Sequence, residues 1–217
     1  MAAVSKSFNL IFLGPQGSGK GTQAKLLADR LNLVVIDTGA TLREIAKTDT
    51  DLGRRVAETI NRGRLVEPEL AEEVVRQKVE KISTEQGIVI DGFPRSLEQY
   101  TLMKRFWPQT KRADYQVIFI DLTLDASIER LGKRVTCELC GSVYIVGEFE
   151  SCQNCGGNLV HRADDEPDAI AKRLELFHSQ TKPLLQQLER EGKIIKIDGA
   201  PSIEEVQADI LKKLNLA

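Results

Sequence analysis

Apolar residues gather in five short runs along the chain, at 8–13, 33–36, 87–91, 116–121 and 194–198. Each is short for a helix and nearly unbroken in hydrophobicity, the pattern of a strand buried on both faces. The intervals read as helices: Lys20 to Leu31, most of 39–82, Pro94 to about Trp107, about Asp125 to Arg134, and 202–214. The 39–82 stretch breaks near Asn61-Arg62-Gly63 and restarts at Glu67-Pro68. A further long helix carries Ile170, Leu174, Phe177, Leu184, Leu185 and Leu188 at helical spacing. Asp164-Asp165 are predicted to cap it, Pro167 is tolerated in its first turn, and Pro183 is predicted to kink it. This alternation predicts an α/β domain whose parallel sheet is covered by helices on both faces.

Two stretches fall outside that layering. Residues 37–66 are helical without an intervening strand, and residues 134–163 hold all 4 cysteines. Both are expected to be insertions in one domain spanning 1–217, a chain long enough to bury a core without disulfides. Lys and Arg total 30 against 32 Asp and Glu, a net charge of -2. So balanced a chain has no broad cationic face for a nucleic-acid backbone, and an anionic ligand must be held by locally gathered groups. No apolar run approaches the ~18 residues of a membrane span. The first eight residues lack the apolar region of a leader, so a cytoplasmic protein with no membrane partner is expected.

Chemistry enters at Gly14-Pro15-Gln16-Gly17-Ser18-Gly19-Lys20-Gly21-Thr22, between the first strand and first helix. Glycines let successive N–H groups curl around phosphate oxygens, and the helix start adds partial positive charge. Lys20 is placed to reach β- and γ-phosphates. The general phosphate-loop pattern has Ser or Thr after the lysine; here Gly21 intervenes and Thr22 follows. Strand before and helix after argue against a mere glycine-rich turn, but the loop alone leaves other ATPases and GTPases open.

Asp91-Gly92-Phe93-Pro94-Arg95 follows the third strand, where ligands collect beyond strand carboxyl ends. Asp91 is placed to hold Mg²⁺ through water, and Arg95 to fork onto phosphate. Together the G-P-Q-G-S-G-K-G-T and D-G-F-P-R segments resemble the adenylate kinase family. Further similarities run in order along nearly the whole chain: Thr38-Gly39 with Leu42-Arg43, Gly63-Arg64-Leu65-Val66, Gln99, Arg130 with Arg134, Arg162-Ala163-Asp164-Asp165, and Lys172-Arg173-Leu174.

The resemblance implies a P-loop kinase-type three-layer fold with a five-stranded parallel sheet, a helical insertion for the nucleoside monophosphate and a zinc-ribbon-like lid. It implies AMP binding by Thr38, Arg43, Arg64, Leu65, Val66, Gly92, Phe93, Pro94, Arg95, Gln99, Arg162 and Arg173, with Gln99 reading the adenine. It implies ATP binding by Gly17, Ser18, Gly19, Lys20, Gly21, Thr22, Arg134, Val143, Tyr144 and the backbone near Pro201. Lys20, Asp91, Arg95, Arg130, Arg134, Arg162 and Arg173 would surround the transferred group, with Asp164 and Asp165 steadying the lid arginine. Facing polyphosphates need this charge, because phosphoryl transfer is catalysed mainly by positioning and electrostatics. Two positions depart from the family's pattern. Asp37-Thr38-Gly39-Ala40 stands where Ser-Thr-Gly-Asp is frequent, and Val135 where a second arginine is common. Arg54, Arg55, Arg76, Arg105 and Arg112 have no such context and are expected to be surface ion-pair partners.

The cysteines form Cys137-Glu-Leu-Cys140 and Cys152-Gln-Asn-Cys155, 11 residues apart. Two such knuckles can present four thiolates tetrahedrally, with Gly141 and Gly156 easing the turns. Disulfides and a redox pair compete with this, but a cytosolic setting and a doubled knuckle favour Zn²⁺. Four protein ligands leave no open position, so the ion would be structural, as in the zinc-bearing lid of some adenylate kinases. His161 and His178 are each alone and are expected to be structural. The sequence thus predicts a monomeric ATP:AMP phosphotransferase using Mg²⁺. A kinase for UMP, CMP or GMP is the near alternative, and an ATP-switched zinc-ribbon binding module the distant one.

Overall fold

A computed structural model describes residues 8–216. The leader-free reading of residues 1–7 lies outside them. Five parallel strands form the central sheet: β1 (Asn9–Leu13), β2 (Val34–Asp37), β3 (Ile88–Asp91), β4 (Gln116–Asp121) and β8 (Ile194–Asp198), in the order β2-β3-β1-β4-β8. Side-chain alternation splits β1 between two cores. Leu10 and Phe12 pack with Ala24 and Leu27 of α1 (Lys20–Leu31) and Val206 and Ile210 of α9 (Ile203–Lys213). Ile11 and Leu13 face the opposite layer. That layer is built by α4 (Pro68–Glu80), α5 (Leu97–Phe106) and α8 (Lys182–Arg190), through Val75, Met103 and Leu184 among others.

The 37–66 stretch folds as α2 (Thr38–Ala46) and α3 (Asp51–Asn61). Asp37 caps α2 by accepting from Ala40 N at 2.8 Å, and Thr50 caps α3 by accepting from Gly53 N at 2.9 Å. After α6 (Leu124–Gly132) comes a three-stranded antiparallel sheet of β5 (Arg134–Cys137), β6 (Val143–Ile145) and β7 (Leu159–Val160), ordered β6-β5-β7. Arg134 therefore opens a strand rather than ending a helix.

The long C-terminal helix differs from expectation in two places. Asp164 and Asp165 form a 3₁₀ turn and do not cap α7 (Pro167–Leu176); Glu166 occupies the cap position without a side-chain bond. Both carboxylates are taken up by arginines instead. The break ahead of Pro183 is a π-helical turn over Phe177–Thr181, which absorbs the hydrogen bond that proline cannot make. Arg54, Arg55 and Arg76 do form surface ion pairs. Arg112 is instead buried, donating to the carbonyls of Ile82, Ser83 and Gln86. A loop bearing three fixed acceptors suits a five-donor guanidinium better than one exposed carboxylate would.

Candidate active site and metal centre

The carboxyl ends of β1, β2 and β3 bring the phosphate loop, Asp37 and Asp91 to one edge of the sheet. Gly19 has φ 86°, and nothing lies within 4 Å of where a Cβ would stand. Backbone conformation, not crowding, demands glycine here. Helix α1 thus starts toward open space with the N–H groups that a helix N-terminus leaves unpaired. Gly17 packs against α6, and Ser18 holds the turn through its N–H to Pro15 O at 3.2 Å. Gly21 and Thr22 continue the first turn of α1.

Lys20 and Asp91 are buried close enough to influence each other's charge. Burial pushes the Lys20 ammonium down to about 7, with Asp91 opposing and Arg95, Arg173 and Arg134 reinforcing. Burial likewise raises Asp91, with Lys20 opposing. Asp91 Oδ1 is buried without a hydrogen-bond partner, and a Cβ on Gly21 would sit 3.0 Å from Oδ2. An orphaned carboxylate oxygen beside a phosphate loop fits Mg²⁺, which takes oxygen ligands and keeps waters.

The D-G-F-P-R turn folds over itself. Arg95 Nε donates to Gly92 O at 2.8 Å, and a Cβ on Gly92 would stand 2.8 Å from Arg95 Nη2, so the guanidinium needs glycine beneath it. Arg95 N donates to Gln99 Oε1 at 2.7 Å. A backbone N–H can only donate, which fixes the amide's orientation and leaves Nε2 as its free donor. Ser96 caps α5 by accepting from Gln99 N, setting the turn on which this side chain sits. Arg95 O accepts from Thr181 Oγ1 at 2.8 Å. Phe93 and Pro94 are buried and joined by a cis peptide.

One cleft is lined by Thr38, Arg43, the 64–66 segment, Gly92, Phe93, Arg95 and Gln99, and also by Lys20, Asp164 and Arg173. Its lining holds five basic side chains (Lys20, Arg43, Arg64, Arg95, Arg173) and a single acid, Asp164. Burial and the neighbouring Arg162 lower Arg43, burial lowers Arg95, and burial brings Arg173 down to about 10. Arg162 Nε donates to Asp164 Oδ1 at 2.8 Å, and Arg173 Nη1 donates to Asp164 O at 2.7 Å and Asp165 Oδ1 at 3.0 Å. Burial would raise Asp164, but Arg173 and Arg162 hold its carboxyl far below the usual range. Thr38 Oγ1 is buried and unpartnered in the same wall.

Several residues lie elsewhere than expected. Arg130 is not in the ring; it donates to Gly199 O at 2.9 Å and Ala200 O at 3.0 Å, because carbonyls just past β8 offer fixed acceptors. Val143, Tyr144 and Pro201, expected on the ATP side, lie outside the lining of this cleft, the one expected to take AMP. Val143 is exposed and the Tyr144 hydroxyl lies 3.3 Å from Cys152 Sγ. Sequence reasoning missed Gln16, Phe177 and Thr181 in the lining. Gln16 stands inside the phosphate-loop motif but carries no role in the sequence reading, whereas nothing in spacing marks Phe177 and Thr181, which reach the cleft through tertiary packing. Asp37, where the family's acid is displaced, contributes negative charge felt by Arg43, Asp91 and Arg95. His161 and His178 are exposed.

The four cysteine sulfurs lie within 4.8 Å of one another and are free thiols. Cys137 and Cys155 approach to 3.4 Å, and Cys140 and Cys152 to 3.5 Å. A disulfide needs about 2.05 Å. A tetrahedral ion with bonds of about 2.3 Å would place its sulfurs about 3.8 Å apart. The knuckle turns close through Gly141 N to Cys137 O at 2.9 Å and Gly156 N to Cys152 O at 2.8 Å. The clustering of all four sulfurs suits a metal ion, and no disulfide joins them.

Comparison with known proteins agrees with this architecture. The family model described as Adenylate kinase matches residues 12–193. The adenylate kinase of Syntrophotalea carbinolica is 38% identical over 211 residues, covering 94% of this chain and 97% of the relative. That of Chlamydia caviae is 39% identical over 202 residues, covering 93% and 94%. That of Syntrophomonas wolfei is 35% identical over 211 residues, covering 95% and 98%. With a phosphate loop, a cation-lined cleft and an end-to-end match in hand, the chain belongs to the adenylate kinase family.

Proposed function

We propose that the chain transfers the ATP γ-phosphoryl to AMP, with AMP in the cleft between α2, residues 64–66 and Arg95–Gln99, and ATP along the phosphate loop. The carrying observation is the cleft lining, five basic groups against one acid in a chain of net charge -2. Such a concentration of cations is costly to enclose unless polyanions complete it.

An AMP phosphate oxygen, already ionised at neutral pH, attacks the γ-phosphorus; the bond to the β–γ bridging oxygen breaks, and two ADP result. No general base is needed, so catalysis rests on alignment and charge. Arg95, held at its Nε and both main-chain ends, presents its remaining donors to the AMP phosphate. Arg43 and Thr38 supply further donors from α2. Lys20 neutralises charge on the group in flight. Arg162, Arg173 and Arg134 exchange their Asp164 and Asp165 partners for phosphate oxygens. Arg130 belongs at the base end of ATP, beside the 199–201 loop. Gln99 Nε2 donates to a ring nitrogen of adenine. Mg²⁺, carried with ATP and held near Asp91, would neutralise charge between the β- and γ-phosphates.

Cys137, Cys140, Cys152 and Cys155 would hold a structural Zn²⁺, which replaces the core so short an insert cannot build. One chain contains the whole cleft, so a monomer suffices. No helix among the described residues is long and apolar enough to cross a membrane, and the reading is completed by a cytoplasmic setting. The test is ADP formation from Mg²⁺ and ATP with AMP, UMP, CMP and GMP offered in turn. AMP is expected to be strongly preferred. Equal use of pyrimidine monophosphates, or ATP hydrolysis independent of acceptor, would overturn the assignment.

A further inference from the structure

Strand β6 carries the Val143-Tyr144 pair that family resemblance assigns to ATP, yet the Tyr144 phenol is committed to the cysteine cluster. Its Oη lies 3.3 Å from Cys152 Sγ and accepts from Gln153 N at 3.1 Å. The backbone N–H can only donate, so it occupies an acceptor position on Oη and leaves the hydroxyl's single proton for the sulfur. The ring stands edge-on to Phe149, centroids 5.5 Å apart at 72°, which fixes its swing. Cys152 is only 2% exposed, so water cannot supply the hydrogen bond that a thiolate at this position needs. The other knuckle has a parallel arrangement, with Cys140 Sγ 3.2 Å from Ser142 Oγ. Each knuckle thus has one sulfur beside a hydroxyl from the 142–144 segment.

We propose that Tyr144 is a positioning residue for the lid metal: its O–H donates to the Cys152 thiolate, orients that sulfur and holds the second knuckle against β6. The inference rests on the zinc reading above. Groups behind a ligand shell tune metal affinity by fixing ligand direction and charge. Tyr144→Phe keeps the ring against Phe149 but removes the only proton offered to the sulfur from this side chain, and leaves Gln153 N–H without its acceptor. Tyr144 also sits in the strand expected to face ATP, so the same contact makes the order of that strand depend on the metal.

The test uses full-length protein loaded with Zn²⁺ or, separately, with Co²⁺ as a spectroscopic probe. In Tyr144→Phe, zinc affinity measured against a chromophoric chelator is expected to fall on the order of 10-fold. The thiolate-to-cobalt charge-transfer band is expected to move to lower energy, because a thiolate that loses a hydrogen bond gives up charge more readily. Phe149→Leu disturbs the packing and keeps the hydroxyl, so its band should stay with the wild type. A band and a zinc affinity both unchanged in Tyr144→Phe would overturn the proposal, as would an equal band shift in Phe149→Leu. Wild-type protein that takes up neither ion would overturn the metal reading itself and this inference with it.

Discussion

Arg134 grips Asp165 with two prongs, Nε to Oδ2 at 2.7 Å and Nη2 to Oδ1 at 2.5 Å. The pair joins the first residue of β5 to the turn before α7, so it closes the base of the cysteine-bearing excursion. Arg173 shares the Asp165 carboxylate from α7. The base of this excursion is therefore held by a shared ionic network.

Arg134→Ala is expected to lower turnover at saturating ATP and AMP on the order of 100-fold, the scale for losing a charge-stabilising donor. Arg134→Lys should recover only part of this, because a point charge cannot reproduce the parallel fork. A lysine variant turning over at the wild-type rate would show that the two-pronged geometry is irrelevant.

Lys20 sets a proton linkage. Well below 7 its ammonium is charged with or without nucleotide, and no proton moves. Above 7 the empty cleft, which has pushed it down to about 7, holds it largely neutral, and arriving phosphates restore the charge by drawing a proton from solution. ATP affinity should thus decline as pH climbs from about 7 toward the bound-state value. Calorimetry at about pH 8 in buffers of different ionisation heat should register proton uptake. Lys20→Arg, charged throughout, should abolish that uptake; wild-type binding without it would refute the linkage.

Thr181 holds the Arg95 carbonyl while Gln99 holds the Arg95 N–H, fixing the main chain beneath the guanidinium. Thr181→Val keeps the side-chain volume and loses a bond worth about 1 kcal/mol. KM for AMP is expected to rise roughly 5-fold with KM for ATP unchanged, and Thr181→Ser should restore it. Equal changes in both constants would point to general loosening instead.

Stripping metal should loosen the lid and spare the sheet. Chelated protein is expected to become sensitive to protease between Cys137 and Cys155 while its far-ultraviolet dichroism stays close to that of the loaded form. Resistance of the stripped lid to cleavage would deny the metal a structural role.

The strands and phosphate loop were legible because each rests on a local pattern: an apolar run, a glycine series, a capped helix start. The knuckles were legible for the same reason, since Cys-x-x-Cys spacing is itself the geometry. Arg130 was misplaced because spacing from Arg134 says nothing of the carbonyls at Gly199 and Ala200, some 70 residues on. Thr181 was invisible because its role depends on a π-helical turn that no propensity announces. Asp164 and Asp165 carried two readings, a helix cap from local pattern and arginine partners from the family resemblance; the cap is absent and Arg134, Arg162 and Arg173 take the carboxylates.

Asp164 and Asp165 have a last consequence. They engage Arg134, Arg162 and Arg173, so these three guanidiniums are already charge-paired. A stray chloride or inorganic phosphate must displace neighbouring carboxylates tethered to the chain, whereas a nucleotide brings several linked anionic groups and a base that docks independently. Discrimination against small anions is therefore expected to arise as an exchange of partners.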